Sequence, residues 1–414
     1  MSLPGTIIFY SSYQDSIDIN GIETFMSFSR YDPEAPEQFV GGLELYDHLR
    51  NDAGTVFYAR GTKITPEHIE RLLKLRETTP SLDFNFVLKR DESLIRIFSN
   101  SIKKKISEVL DQLLQNKAFK KLMYSISINI ETFIDEIFSN DSITLALHQA
   151  EYVCENSSQE DTERFFKHPL YVAFAALALV SSQDYSTVIE QKKAKLADVF
   201  KMALFHNYGT LVNIDSVQKA KHAEKVELYW KSNISGYSLL DKYLLSNEIL
   251  KALQLLGRYK GGDREFFKQI DWPSTMAKIV VAAEMIISRA TGLFFEEPVP
   301  VKAVIDDMCV RTIYNELPQF PVFALTQAMG FGSIFTYYDK LSKLIKECYY
   351  DSAVPYPLAR LKSPTVFLCK KGVNVCKHIG SSRNPVSVLI PQGDLEAKNY
   401  RVCKRLTEKL KNIE

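Results

Sequence analysis

The sequence predicts a mainly α protein, a central all-helical body set between a small N-terminal α+β module and a small C-terminal β unit. Three observations carry this reading. Apolar residues recur at helical spacing through most of residues 92–350. Before that stretch, and after the prolines Pro355 and Pro357, the pattern changes to short runs rich in β-branched and aromatic residues. The chain of 414 residues also exceeds the ~300 at which one core stops growing. The expected divisions are 1–91 for the N-terminal module, 92–160 for connecting helices, 161–350 for the helical domain and 351–414 for the C-terminal β unit.

In chain order, TIIFY at 6–10 and TVFYARGTKIT at 55–65 read as strands, with Gly54 and Gly61 as turns. A helix follows, with Pro66 and Glu67 in its first turn and Ile69, Leu72, Leu73 and Leu75 on its apolar side. LDFNFVLKR at 82–90 closes the module as a strand. From Leu94 to Leu114 an apolar stripe including Ile102, Ile106, Val109 and Leu113 marks a long helix, with Lys103, Lys104 and Lys105 on a solvated face. Helical segments are expected at 118–138, 142–155, 168–183, 195–206, 222–243, 246–256, 274–291, 301–315 and 322–348. Two turn signals, KKG and SSRNP, then divide β-branched strands in residues 364–392, and a last helix ends the chain.

Lys plus Arg is 51 and Asp plus Glu is 50, so a net charge of +1 gives no general attraction to nucleic acid or anionic lipid. The 46% apolar and 12% aromatic content describe a folded chain. No run of ~18 apolar residues occurs, and the first residues have neither a basic stretch nor a cleavable apolar one, so a cytoplasmic protein is expected. The six cysteines form no CxxC pair. Cys369, Cys376, His378 and Cys403 could hold zinc, but their spacing matches no common knuckle, and buried free thiols are the favoured reading.

The residue types that bear chemistry fall in the helical middle. KMALFHNYGT at 201–210 delivers an imidazole and an amide, His206 and Asn207, to a helix end followed by Gly209. Around it stand His168 in HPLYVA, Asn233 in NISG, Arg258 in QLLGRYKGGD and Glu284 in AAEMIISRAT. Their order and contexts resemble the HD-GYP family, the bacterial branch of HD-domain metal-dependent phosphohydrolases that hydrolyse cyclic di-GMP. HPLYVA is similar to the family's H-S-x-x-V-A, LFHNYGT to L-L-H-D-I-G-K, NISG to H-P-x-x-G, LLGRYKGGD to H-H-E-R-x-D-G-x-G-Y-P, and AAEMIISRAT to V-A-D-x-x-D-A-L-T. The flanking modules fit the same family, so the resemblance implies an HD-domain-like bundle in the middle of the chain.

It also implies where the site has changed. Of seven ligand positions, His168 and His206 are kept, Glu284 replaces an aspartate, and Asn207, Asn233, Leu255 and Leu256 have lost the donor. Two divalent cations carry four positive charges and the remaining set supplies one carboxylate; each missing charge pair at ~4 Å is worth about 4 kcal/mol at a surface-like dielectric. Hydrolysis through a hydroxide between two cations needs both of them. The two histidines are read as hydrogen-bonded core imidazoles, and Asn207 and Asn233 as amides filling the former site. Arg164, one turn before His168, and Arg258 are candidate anion-binding groups. Lys260 and His222 are read as solvated.

The expected function is therefore that of a bacterial signalling protein whose helical domain is catalytically degenerate and which binds a protein partner or a nucleotide in place of hydrolysing one. No cofactor is expected, nor a nucleic acid polymer or membrane partner, and an oligomer is compatible with the sequence. The first alternative is a weak phosphodiesterase holding one divalent metal (Mn, Fe or Zn) on His168, His206 and Glu284. The second is a receptor that holds a cyclic dinucleotide without cleaving it.

Overall fold

The structure is a computed structural model. It describes residues 16–51, 54–82, 84–89, 91–140, 143–144, 146–147, 163–186, 193–212, 231, 233, 245–292, 297–345, 353–356, 366–369, 401–402, 405 and 409. The described residues are mainly helical and fall into two compact units, Met1–Val301 and Lys302–Glu414.

The first unit opens with a four-stranded antiparallel sheet in the order β1-β4-β2-β3, where β1 is Ser16–Asn20, β2 Leu49–Arg50, β3 Val56–Tyr58 and β4 Asn85–Lys89. Alternation sets its register: Ile17 pairs with Leu88 and Ile19 with Phe86, and all four are fully buried. Two helices, α1 (Ile22–Ser29) and α2 (Pro66–Thr78), supply Phe25, Phe28, Ile69 and Leu72 to the same core. Phe25 stacks on Phe86 with ring centroids 3.9 Å apart. Helix α2 begins where the sequence places it: Pro66 fixes the first turn, and His68 Nδ1 accepts the Thr65 backbone N–H at 3.2 Å. Of the expected strand over 55–65, the ladder takes only Val56–Tyr58, because Gly61 turns the chain at φ +82° and Thr65 already caps α2. Helix α1 escapes the sequence reading, being eight residues with no capping signal.

Helix α3 (Glu92–Leu114) buries Ile102, Ile106, Val109 and Leu113 at helical spacing, as expected. Its Lys104 is exposed, whereas Lys103 reaches Asp135 at 2.7 Å. The single segment expected over 118–138 is two helices, α4 (Lys117–Met123) and α5 (Ile130–Ile137), the second started by Asn129, whose side chain accepts from Thr132 N at 2.9 Å.

The centre of the unit is α6 (Glu163–Ser181), which starts one turn earlier than expected and has Val172–Val180 at 0–1% exposed. A one-turn helix over Gln183–Ser186 follows it. Around α6 pack α3, α4, α7 (Lys193–Phe205) and α10 (Trp272–Thr291), with α9 (Asn247–Lys260) against α7 and α10. Phe200 of α7 meets Phe133 and Phe174 edge-on, at 5.5 and 5.6 Å between centroids. The short α8 (Tyr208–Val212) follows α7 directly. Helix α10 is framed by its termini: Asp271 accepts from Ser274 N at 2.8 Å, and Gly292 closes the far end at φ +66°.

In the second unit α11 (Val301–Ile313), α12 (Gln319–Ala328) and α13 (Gly332–Ile345) precede a three-stranded antiparallel sheet, β5 (Ala353–Tyr356), β6 (Val366–Cys369) and β7 (Arg401–Val402). Pro355 lies within β5, which among the described residues pairs only with β6, the edge position where proline is tolerated. The strand expected at 6–10, His222 with most of the helix expected at 222–243, and the side chains of Cys369, Cys376, His378 and Cys403 lie outside the described residues.

Candidate functional site

Helices α6, α7 and α10 have wide apolar faces, and some of their polar side chains are carried into the core with them. His168 on α6 is 0% exposed, His206 just after α7 is 1% and Glu284 in the middle of α10 is 7%. One donor atom from each of these three lies within 4.8 Å of the other two. The imidazole centroids are 5.3 Å apart with their planes at 57°. Three residues separated by up to 116 positions in the chain thus meet at one point.

The local chemistry of each is set by its surroundings. His206 Nδ1 lies 2.6 Å from the Ala203 carbonyl oxygen, which can only accept, so Nδ1 carries the hydrogen and Nε2 the lone pair. Burial pushes the His206 pKa down to about 4, against the pull of Glu284 and of the Ala203 carbonyl. Burial also holds His168 well below the usual histidine range, with His206 and Lys260 adding to the effect. Both rings are neutral at pH 7.

Lys260, expected to be solvated, is not. Its side chain is 10% exposed and its Nζ lies 3.0 Å from Glu284 Oε2. The reason is positional: α9 packs against α10, and the last residue of α9 reaches the one carboxylate of the cluster. Glu284 Oε1 meets the Ser288 hydroxyl at 3.5 Å. Burial lowers the Lys260 pKa, opposed by the Glu284 charge and hydrogen bond.

Three of the four positions that have lost donors are buried as well. Asn233 Oδ1 accepts from Thr210 N at 3.0 Å and from Thr210 Oγ1 at 2.8 Å, so two residues that depart from the family pattern bond to each other. Asn207 is 0% exposed, and neither of its amide atoms finds a partner among the described residues. Leu256 is buried and Leu255 half-buried on α9. Arg258 points elsewhere: it is exposed, and its Nε donates to Asp263 Oδ2 at 2.8 Å. The backbone of Arg164 lies in the first turn of α6; its side chain is outside the described residues.

These residues do not fit a pair of metal ions. With neutral imidazoles, the cluster holds one negative charge, and an ammonium is already bound to it. For one ion the donors are of the right type, two imidazoles and a carboxylate. His168, His206 and Glu284 would hold such a cation, which would compete with Lys260 for the carboxylate.

A space of ligand size in this unit lies elsewhere. Lys167 and Tyr171, one turn apart on α6, line a cleft of about 570 Å³ with Gln112, Asn116, Thr291 and Glu297. The Tyr171 hydroxyl donates to Gln112 Oε1 at 3.1 Å. Sequence reasoning missed this cleft, since its residues come from four separate helices and the segments beside them and carry no motif.

No family model, no curated protein and no solved structure matches the chain. Among the described residues, no helix is long and apolar enough to cross a membrane.

The low histidine pKa values have a consequence for stability. The native rings stay neutral below pH 6.5, whereas the unfolded chain takes up protons there, so acid favours the unfolded state. Stability should be unaffected by these groups above pH 6.5 and fall as the pH drops toward 4, by about 3 kcal/mol for His206, with His168 adding in the same direction. Urea unfolding of metal-free protein at several pH values checks this, and His206→Gln should flatten the profile.

Proposed function

We propose that this chain is a bacterial, cytoplasmic signalling protein whose helical domain is an HD-GYP-like scaffold with a silent metal site, and that it acts by binding and conformational change. The observation that carries the reading is the charge balance of the cluster: its single carboxylate is already neutralised by the Lys260 ammonium at 3.0 Å. A hydrolytic centre of this class needs a metal-activated hydroxide, and with it an excess of negative ligands to hold the ions. Here the excess is zero. The close packing of His168, His206, Asn207, Tyr208 and Thr210, each at most 2% exposed, supports a filled core in place of a substrate pocket. The cleft beside Lys167 and Tyr171 is the better candidate for a small anionic ligand, a nucleotide included, because a cation and a ring face it together.

A second reading is favoured by one observation, the convergence of His168, His206 and Glu284: a mononuclear metal enzyme acting on phosphodiesters. Elemental analysis of the purified protein, with assays of cyclic di-GMP hydrolysis in Mn²⁺ or Fe²⁺, separates the two. The expected result is no stoichiometric metal and no turnover above a His168→Ala blank. One metal per chain, lost on His206→Ala and accompanied by turnover, would overturn the silent-site reading.

A further inference from the structure

A lysine at the last position of a helix ordinarily extends into water and complements the helix C-terminus. Lys260 instead turns inward, nine-tenths buried, onto the carboxylate of Glu284. Taking an ammonium and a carboxylate out of water costs several kcal/mol per ion and is offset only by close contact between them. The carboxylate does not stand alone: two imidazoles lie beside it, with donor atoms from all three within 4.8 Å of one another. His206 is oriented by the Ala203 carbonyl so that Nε2 is its free-electron-pair nitrogen, the arrangement that an outer hydrogen bond gives to metal-binding histidines. The cluster therefore has the form of a cation site whose cation is covalently attached.

We infer that the Lys260 ammonium is a tethered cation occupying the role of a metal ion at the His168–His206–Glu284 cluster, and that removing it turns the cluster into a site for one transition metal. The inference rests on the silent-site reading above. The chemical class follows from the donors: two nitrogens and one oxygen suit a borderline ion such as zinc, with Co²⁺ as its visible counterpart, while Mg²⁺ and Ca²⁺ require more oxygens than are present. Lys260 excludes such an ion twice over, by repelling its charge and by holding the carboxylate it would need.

The test uses the full chain and four proteins: wild type, Lys260→Met, Lys260→Gln and the double variant Lys260→Met with Glu284→Gln. Methionine keeps the bulk of the lysine stem and removes the charge. Each is titrated with Co²⁺ alone, read by its visible absorption, and melted with and without Zn²⁺. The expected result is that Lys260→Met melts below wild type in the absence of metal, recovers on addition of Zn²⁺, and takes up one Co²⁺ per chain at least on the order of 100-fold more tightly than wild type. The double variant should melt close to wild type and show no cobalt spectrum, since neither charge remains. Folding of the two single variants only when zinc is present would also support the inference. Single variants that bind no cobalt and are not stabilised by zinc would overturn it, whether or not they fold, and would leave the silent-site reading standing. A wild-type chain that itself binds Co²⁺ tightly and stoichiometrically would overturn both.

Discussion

Replacing Glu284 with alanine is expected to lower the unfolding free energy by about 3–5 kcal/mol, among the largest effects of any single change in the chain. The loss comes less from the missing attraction than from what stays behind. Lys260 would be left nine-tenths buried with no anion opposite it, since the two imidazoles of the cluster are neutral. Its pKa, already lowered by burial, would lose the carboxylate that opposes the shift. Part of the penalty would be relieved by deprotonation, so the destabilisation should be greater at pH 6 than at pH 9. Urea denaturation followed by circular dichroism at the two pH values measures both the size and its pH dependence. A variant as stable as wild type at pH 6 would mean that the pair is solvated and that the charge balance of the cluster has been misjudged.

The second large effect is expected in the apolar core. Phe200→Ala should cost about 3–5 kcal/mol, through lost burial and through the cavity left where the ring meets Phe133 and Phe174. Helices α6 and α7 pack against each other, and this ring joins α7 to both α5 and α6, so the site cannot collapse by moving one helix alone. The exposed Ile270, at 95% exposure, is the natural comparison: Ile270→Ala should change stability by no more than about 0.5 kcal/mol. Differential scanning calorimetry of the two variants gives the contrast directly, and equal melting temperatures would contradict the packing described for α7.

Much of the helical middle was legible because burial is written into spacing. The stripe from Ile102 to Leu113 and the run from Met276 to Ile287 place their helices without help from tertiary structure. What spacing could not convey was where a helix breaks. Asn129 separates α4 from α5 by capping the second, and an asparagine in a polar stretch reads equally well as a surface residue. The strand containing Pro355 was hidden for a related reason, since only its place at a sheet edge makes proline acceptable there.

The cluster was legible in membership but not in mechanism. His168, His206 and Glu284 were picked out one by one, and they converge. Lys260 was taken for a solvated residue, because a lysine at a helix end followed by two glycines carries no sign of burial in the sequence. Its role depends on a partner 24 positions away on another helix, and such pairings are set by packing. The bond from Thr210 to Asn233 is similar: the asparagine looked like an isolated loss of a donor, and with Thr210 it forms a polar contact that no motif announced.

Helix α6 carries Pro169 immediately after His168. Proline has no amide hydrogen, so the rung that would join it to Phe165 is missing, which loosens the first turns of α6 against the rest. Lys167 stands before that joint and Tyr171 after it, and both face the cleft. A molecule gripping the two at once would set the bend angle of α6 and with it the position of His168, making the proline the pivot of a lever whose short arm ends in the polar core.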